Sequence, residues 1–380
     1  MTSKRTRLMI PGPVDVDDDV LAAMAEPTRA HYGEEWLPVY NEAVDRLKQI
    51  FRTESDLFLI PAAGSAGLDA ALGSLARTGE KVVVPYNGFF GRRMAEIARY
   101  YGLTVRAVEA PLGQPLDPEA VRQALRAEAD IQALAVVHLE TSTAVLNPLQ
   151  EIVALGREFE VPVIVDAVSS MGGIPVPVDD WGIDVCVTVV NKCLGCPPGL
   201  APVSVSPYAW ERMERSGRRS HGWYMNLQVW KESATRWGAW HPYPTTLPSN
   251  NIVALVASLR RIMESGLDAY CERHVEAAEM VRVGLRRLGF EMFAPDAHTS
   301  PLLTAVQVLP GMEVDDLQRY LRSEWQILVT GGLEELSGRI FRVGHIGKAA
   351  SAEYCEAFLA GVEAYLRLKG MAVPPRSGSV

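Results

Sequence analysis

The chain has 380 residues, of which 48% are hydrophobic and 22% charged, and its formal net charge is −9. This composition is typical of a folded protein with a large core and a second domain, and it excludes a disordered chain. The acidic balance argues against nucleic-acid binding, which requires a basic face that neutralises phosphates. No apolar run approaches the roughly 20 residues of a membrane span, and the N-terminal apolar run is too short for a signal peptide. We therefore expect a cytoplasmic protein with neither a nucleic-acid nor a membrane partner.

Predicted strands and helices alternate between residues 55 and 205, which is typical of a parallel sheet covered by helices. The runs predicted as strands are 56–60, 81–85, 103–108, 133–138, 161–166 and 184–190. The helices predicted between them are 65–75, 90–101, 118–127 and 149–158. Because the strand runs are continuously apolar rather than alternating, we expect them to be buried on both faces. The run 201–205 is predicted to pair antiparallel with the strand before it.

The pattern changes near residue 250, where a long helical stretch begins that continues to 288 with a break at Gly266. The elements predicted after it are strands at 303–308, 327–330 and 339–343, and helices at 314–322 and 352–369. This predicts an α/β fold with a small α+β domain at its C-terminal end. The expected divisions are an N-terminal segment at 1–15, a large domain at 16–255, a small domain at 256–370 and a disordered tail at 371–380. The Trp-rich segment 223–240 is interpreted as a surface that another subunit or the active site covers.

The cysteines give no sign of a disulfide framework, because there are five of them, an odd number, spread along the chain. Cys193 and Cys196 form a C-x-x-C pair, but no second pair or nearby histidine pair completes a zinc site. We interpret both as small loop residues and expect no metal.

Lys192 follows a β-branched apolar run and precedes a loop rich in Gly and Pro, and Asp166 ends the preceding predicted strand. Burial of an unpaired ammonium costs several kcal/mol and lowers its pKa, so such a lysine must reach water or be used as an amine. A neutral amine attacks aldehydes. The pair therefore suits pyridoxal phosphate (PLP), with Lys192 as the Schiff base and Asp166 against the pyridinium nitrogen. A structural Asp–Lys pair at the sheet edge is the alternative.

Three further strand ends carry residues that suit a ligand. Gly64 and Ser65 open a helix, which makes either an anion site or an ordinary N-cap. Phe90 lies in a strand-to-helix turn, where its ring either stacks on a planar ligand or packs into the core. Thr141 is one of three hydroxyl residues that either bind a phenolic oxygen or cap a turn. Open α/β proteins bind ligands at this edge of the sheet, so the coincidence favours a ligand site.

These residues resemble the class V (fold type I) PLP-dependent aminotransferases, and within them the alanine–glyoxylate and serine–glyoxylate group. The resemblance covers nearly the whole chain. Its motifs are Pro-Gly-Pro at 11–13, Glu-Thr-Ser-Thr at 140–143, Asp-Ala-Val-Ser-Ser at 166–170, Asn-Lys-Cys-Leu-Gly at 191–195, Gly-Gly-Leu at 331–333 and Phe-Arg-Val-Gly-His-Ile-Gly at 341–347. It implies a large domain with a mainly parallel sheet of the seven-stranded type between helices, PLP as cofactor, and a homodimer with shared active sites.

The resemblance also implies a role for each matching residue. Lys192 would hold the cofactor and move the substrate proton, and Asp166 would keep the pyridine nitrogen protonated. The residues implied at the cofactor are Gly64 and Ser65 at the phosphate, Phe90 and Val168 on the two ring faces, Thr141 at the ring hydroxyl, Asn191 beside the lysine, and Tyr243 and Thr246 at the phosphate across a dimer interface. Arg342 matches the residue that binds the substrate carboxylate, a role that suits a two-pronged guanidinium, and Gly12 is expected near the same pocket.

The implied reaction is transamination of a small amino acid, alanine or serine, with a small 2-oxo acid, glyoxylate or pyruvate. Two departures are Ala62-Ala63 in the phosphate turn and Phe90 where many relatives carry Trp. The lysine loop also resembles pyridoxamine–pyruvate aminotransferase, which makes that reaction an alternative. A PLP lyase or cysteine desulfurase is less favoured, because it needs a suitably placed cysteine and none is found. The intact Lys192, Asp166 and Arg342 argue against a non-catalytic PLP-fold binding protein.

Overall fold

The structure is a computed structural model that describes residues 5–215 and 222–372. The strands within these ranges, numbered along the chain, are β1 Arg7–Leu8, β2 Asp56–Ile60, β3 Lys81–Tyr86, β4 Thr104–Glu109, β5 Ile131–Val137, β6 Leu139–Glu140, β7 Val145–Leu146, β8 Val163–Asp166, β9 Val185–Val187, β10 Ala201–Val205, β11 Leu303–Gln307, β12 Ile327–Leu328, β13 Thr330–Gly331 and β14 Ile340–Gly344. The helices are α1 Asp18–Met24, α2 Leu37–Phe51, α3 Gly64–Leu75, α4 Phe89–Tyr100, α5 Pro118–Ala127, α6 Leu149–Glu158, α7 Val178–Trp181, α8 Pro207–Arg215, α9 Leu227–Trp237, α10 Ser249–Ser265, α11 Leu267–Arg287, α12 Val314–Trp325 and α13 Ala352–Leu368.

The central sheet has seven strands in the order β2-β10-β9-β8-β5-β3-β4. Strands β9, β8, β5, β3 and β4 run parallel, whereas β10 runs antiparallel to both β9 and β2. This confirms the predicted mainly parallel sheet and the reversal at 201–205. Asp166 at the end of β8 pairs with Val137 of β5 and Val187 of β9, so the carboxyl ends of these strands lie level.

The middle of this sheet is buried on both faces, because helices cover it from either side. Every residue of β8, β9 and β10 is buried, as the continuously apolar runs predict. The prediction of burial on both faces is wrong for the run 103–108, because β4 lies at the edge of the sheet and pairs with β3 alone. Its residues are half-buried or exposed.

Local signals explain why some helices begin at the predicted residues. Helix α5 has Pro118 at its first position, where the missing N–H is not needed, and the Asp117 side chain accepts a hydrogen bond from Glu119 N at 2.9 Å. The break predicted at Gly266 is also present, because α10 ends before this residue and α11 starts after it. Gly266 has a left-handed φ of +80°, which glycine adopts at little cost.

A second hydrophobic cluster forms between α11, α12, α13 and the three-stranded sheet β11-β14-β13. The N-terminal segment joins this part of the molecule, because β1 pairs with β12 and Met9 is fully buried in the second cluster. Helix α10 packs through Leu255 and Leu259 into the first hydrophobic cluster, which surrounds the central seven-stranded sheet. The division of the chain at 255 stays a prediction.

Several elements are not predicted by the sequence patterns. They are helices α1, α2, α7, α8 and α9, and the short strands β1, β6 and β7. Helix α9 lies inside the Trp-rich segment 223–240. The predicted tail at 371–380 falls outside the described residues from 373 onwards, as do residues 1–4 of the predicted N-terminal segment. Within the described ranges, no helix has the length and apolar character needed to cross a membrane.

Candidate active site

The loop that follows β9 fixes Lys192 at the carboxyl edge of the sheet. Gly195 N donates to Lys192 O at 2.9 Å, and Gly195 has a left-handed φ of +60° that glycine adopts at little cost. Cys196 N donates to Val190 O at 3.0 Å, which closes the loop on the other side. Tyr270 of α11 donates its hydroxyl to Cys193 O at 2.7 Å. Hydrogen bonds within the loop and from Tyr270 of α11 therefore hold the backbone around Lys192 in place.

The Lys192 side chain contacts the N-terminal segment. Its Nζ donates a hydrogen bond to Pro11 O. A Cβ atom built on Gly12 would lie 2.5 Å from Lys192 Nζ, and Gly12 has a φ of +136°, so glycine is required for this approach. Burial lowers the pKa of Lys192 to about 8, with the charge of Arg342 acting in the same direction. A substantial fraction of the amine is therefore neutral near physiological pH.

Asp166 ends β8 as a buried carboxylate that is 7% exposed. Its Oδ1 accepts a hydrogen bond from Val168 N at 2.9 Å. Burial raises the pKa of Asp166 to about 6, and the nearby charges of Lys192 and Arg93 oppose that rise. A buried carboxylate of this kind is stabilised by a positively charged partner.

The first turn of α3 lies beside Val168. A Cβ atom on Gly64 would be 2.7 Å from Val168 Cγ2 and 2.9 Å from Val189 Cγ1, so only glycine lets the helix approach this closely. Ala63 provides no side-chain cap, and the Ser65 hydroxyl has no hydrogen-bond partner in the described structure. The turn thus offers free backbone N–H groups and a free hydroxyl to an anion.

Phe90 lies in the first turn of α4, partly buried. Its ring packs edge to face against Phe89 at 5.3 Å between centroids, and the Arg93 guanidinium lies 5.1 Å from its centroid. Its backbone N–H donates to the carboxylate of Glu140 at 3.0 Å. The contact with Phe89 and the backbone hydrogen bond to Glu140 therefore fix the position of the Phe90 ring.

Arg342 of β14 is 5% exposed and joins the second cluster to this edge of the sheet. Its Nη1 donates to Thr141 O at 3.0 Å and its Nε donates to Gly331 O at 2.9 Å. Burial lowers the pKa of Arg342 to about 10, so it remains charged at neutral pH. Among the residues that the structure describes, no carboxylate forms an ion pair with it. A buried guanidinium without a carboxylate partner is a receptor for one.

Within the single chain, two of the predicted site residues, Tyr243 and Thr246, make no described contact with Lys192. Asn191 is placed next to Lys192, and its backbone oxygen accepts from Val14 N at 3.2 Å. Tyr243 is fully buried, and its hydroxyl accepts from Trp36 Nε1 at 2.7 Å and donates to His31 O. Thr246 is exposed. The chain does not itself link these last two residues to Lys192 through any described hydrogen bond.

Sequence patterns missed two participants at this edge. One is the hydrogen bond from Lys192 to Pro11 O, which only the folded N-terminal segment forms, although the resemblance already implies that Gly12 lies near this pocket. The other is Glu140, a fully buried carboxylate between Leu139 and three hydroxyl residues. The sequence does contain a signal for Glu140, because a carboxylate within a buried run requires hydrogen-bond donors around it.

The profile of the family described as aminotransferase class-V matches residues 20–343. The chain belongs to this family. A relative described as an uncharacterized aminotransferase of Methanocaldococcus jannaschii is 37% identical and covers 96% of this chain and 94% of its own. The soluble hydrogenase 42 kDa subunit of Anabaena cylindrica is 36% identical over 90% of this chain and 88% of that protein. The crystal structure of an alanine–glyoxylate aminotransferase from Nostoc sp. has a TM-score of 0.92 at 30% identity and covers 97% of both chains.

This class V aminotransferase is therefore a PLP-dependent enzyme with the fold type I architecture. The residues of its site fit the cofactor. The first turn of α3 leaves donors free for a phosphate, Asp166 is a buried carboxylate suited to a protonated ring nitrogen, and Lys192 is an amine with a lowered pKa.

The lowered pKa of Lys192 predicts how PLP attachment to the cofactor-free enzyme depends on pH. We expect the rate to rise about tenfold per pH unit at low pH and to level off above the pKa of about 8, because only the neutral amine attacks an aldehyde. An ordinary lysine would keep accelerating towards about pH 10.4. Stopped-flow absorbance across this range measures the rate, and continued acceleration above about pH 9 would contradict the lowered pKa.

Proposed function

We propose that this enzyme transfers the amino group of a small amino acid, alanine or serine, to a small 2-oxo acid, glyoxylate or pyruvate, with Lys192 and Asp166 as its catalytic residues. The observation that carries the proposal is the buried Arg342 guanidinium, which has no carboxylate partner among the described residues and contacts Thr141 at the edge of the sheet that holds Lys192. Amino acids and 2-oxo acids share the carboxylate that such a group binds in two-pronged fashion.

In the proposal, the chain holds PLP through the residues of that edge. Gly64, Ser65 and the first turn of α3 bind the phosphate. Phe90 and Val168 would contact the cofactor ring, Thr141 would bond the ring hydroxyl, and Asn191 would provide a polar side chain beside the lysine. When bound, PLP supplies an electron sink for the pair of electrons left when the substrate α-carbon loses its proton.

The protein groups then do three things. Lys192 Nζ would take the proton from the substrate α-carbon and pass a proton to C4′ of the cofactor, and a pKa of about 8 suits an amine that both accepts and donates a proton. Asp166 keeps a proton on the ring nitrogen, since a buried carboxylate is stabilised by the resulting positive charge. Arg342 fixes the substrate carboxylate, so that the α-hydrogen faces the amine.

Two observations support a small substrate. The backbone of Pro11 and Gly12 lies against the Lys192 amine, and a single added Cβ atom at Gly12 would come within 2.5 Å of Nζ. Space above the amine is thus limited by backbone. The Nostoc relative with 30% identity is an alanine–glyoxylate aminotransferase, which uses substrates of this size.

The proposal includes a homodimer with shared sites, to which Tyr243 and Thr246 contribute from the partner subunit. Tyr243 is fully buried within its own chain and its hydroxyl bonds Trp36 and His31, so it would have to leave these contacts to reach a phosphate of the partner. Thr246 is exposed, and Tyr32 and Trp240, whose ring centroids lie 5.6 Å apart, are 49% and 50% exposed. Exposed aromatic side chains at this density are typical of a surface that a partner covers.

A pyridoxamine–pyruvate reaction is the second candidate, and the phosphate turn favours it. Ala63 at the cap of α3 gives no side-chain donor, so the turn has fewer phosphate ligands than a polar residue would provide. A site that grips phosphate less firmly accepts an unphosphorylated vitamer more readily. A desulfurase is disfavoured, because all five thiols are buried and burial raises the pKa of the Cys193 thiol to about 12.

The visible spectrum of the purified enzyme tests these candidates against a panel of L-alanine, L-serine and pyridoxamine. The expected result is a yellow protein that bleaches with alanine or serine and recovers its colour with glyoxylate or pyruvate, as the keto product accumulates. Turnover with pyridoxamine and pyruvate alone would establish the second candidate. A protein that cannot be loaded with PLP at all would refute both.

A further inference from the structure

The carboxylate of Glu140 makes an unusual set of contacts for a group with no ion-pair partner among the described residues. Glu140 is fully buried at the end of β6. One oxygen accepts from Phe90 N and Gly91 N, both at 3.0 Å. The other accepts from Ser142 N at 3.0 Å and from Ser142 Oγ at 2.6 Å. Four donors thus converge on one side chain.

Glu140 replaces the cap that α4 lacks. The residue before the helix is Gly88, which has no side chain, so the first N–H groups of α4 would be unsatisfied without an outside acceptor. Ser142 Oγ adds a third bond by accepting from Phe89 N at 3.1 Å. A negative charge at a helix N-terminus is also favoured by the helix dipole. The start of α4, and with it the Phe90 ring, is therefore fixed from a turn 50 residues away.

The position of the carboxylate is tightly confined. A Cβ atom on Gly88 would lie 2.5 Å from Glu140 Cγ and from Ser142 Oγ, and 2.6 Å from Glu140 Cδ. Gly88 has a φ of 176°, an extended conformation open to any residue, so space alone requires glycine there. Because Gly88 has no side chain, the carboxylate of Glu140 fits into this space.

The same side chain connects Phe90 to the substrate side of the site. Thr141 lies between Glu140 and Ser142 in the turn that the carboxylate closes, and its backbone oxygen accepts from Arg342 Nη1 at 3.0 Å. One carboxylate thus connects the start of α4 with the turn that orients Arg342.

We propose that Glu140 is a positioning residue of the transamination site, which fixes the Phe90 ring against the cofactor and the Thr141 turn against Arg342. The inference rests on the proposed role of Phe90 at the cofactor face. Glu140 touches neither cofactor nor substrate, so its effect on PLP affinity passes through Phe90 and, to a smaller extent, through the Thr141 turn.

A double-mutant cycle tests this route, with the PLP dissociation constant measured by absorbance titration of the cofactor-free enzyme. Phe90→Ala is expected to weaken PLP binding about tenfold through the lost ring contact. Glu140→Gln keeps the volume but turns an NH₂ group towards N–H donors, and is expected to weaken binding about five- to tenfold. The double variant should bind no more than about threefold more weakly than Phe90→Ala alone, because the larger part of the Glu140 effect passes through the ring that is gone and only the part through Thr141 remains.

Two further variants separate positioning from general loss of stability. Gly88→Ala keeps the carboxylate but occupies its space, so it should weaken PLP binding as Glu140→Gln does, and it replaces that variant in the cycle if the latter does not fold. Glu42→Gln is the matched control, because the Glu42 carboxylate accepts from Arg46 and Arg260 in the first cluster region and lies outside the site. It should bind PLP as the unaltered enzyme does.

Effects that multiply to about 50-fold or more in the double variant, or a Glu140→Gln enzyme within twofold of the unaltered one, would overturn the inference while leaving transamination intact. An unchanged constant in Phe90→Ala would overturn the stacking role of Phe90, and this inference with it. Failure of the unaltered enzyme to bind PLP would instead refute the proposed function.

Discussion

Lys192→Ala is expected to abolish transamination, with kcat reduced by at least about 10⁴-fold. The variant loses the amine that attaches the cofactor and moves the α-proton, and no other amine contacts Pro11 O and Gly12 in the described structure. Proton transfer by a positioned group alone contributes about 10²- to 10⁴-fold, and the loss of covalent attachment adds to it. Steady-state kinetics with the best donor, and the absence of the yellow form on addition of PLP, measure the two losses.

The structure offers a matched control in Lys81→Ala. Lys81 is 41% exposed and pairs with Glu128 at 2.9 Å on β3, at the opposite end of that strand from Tyr86. A surface pair of this kind contributes little to stability, because water and salt screen its charges, so the control should retain full activity. Undiminished turnover in Lys192→Ala would exclude Lys192 from the mechanism and with it the proposed role of Asp166.

Sequence alone predicts much of the large sheet, because its signals are local. Helix α5 starts and ends at the predicted residues, since Pro118 and the Asp117 cap act within one turn. The strand end that carries Asp166 and the loop after β9 that carries Lys192 are also recognisable from the apolar runs before them. These features depend on neighbours a few residues apart, which a sequence displays directly.

The contacts that complete the site join residues that are far apart in the sequence. Glu140 satisfies the start of α4 across 50 positions, and Pro11 O reaches Lys192 across 181. Neither pairing leaves a periodic pattern, because each depends on how the sheet brings distant turns together. The exposure of β4 has the same origin, since the strand order that places it at the edge is a property of the whole fold.

Arg342→Gln is expected to raise KM for both the amino acid and the 2-oxo acid by about 100-fold or more, with a smaller change in kcat. Two charged hydrogen bonds to the substrate carboxylate are lost, each worth about 1.5–3 kcal/mol. Arg342→Lys keeps the charge but not the planar fork, so its KM should fall between those of the glutamine variant and the unaltered enzyme. Initial rates over a range of each substrate give both constants.

Pyridoxamine makes this prediction specific, because it carries an amine but no carboxylate. If Arg342 acts by binding the carboxylate, KM for pyridoxamine should not change in Arg342→Gln, while KM for the 2-oxo acid acceptor rises. An equal loss with every donor would instead mean that the substitution disturbs Thr141 and Gly331, whose backbone oxygens Arg342 binds. Arg282→Gln tests for such a structural loss, since Arg282 is a partly buried arginine that donates to Ser300 O at 3.0 Å and has no described hydrogen bond to Lys192. It should lower stability and leave KM unchanged, because Arg282 has no proposed contact with the substrate, whereas Arg342 has N–H groups left to bind one besides those that bind Thr141 and Gly331.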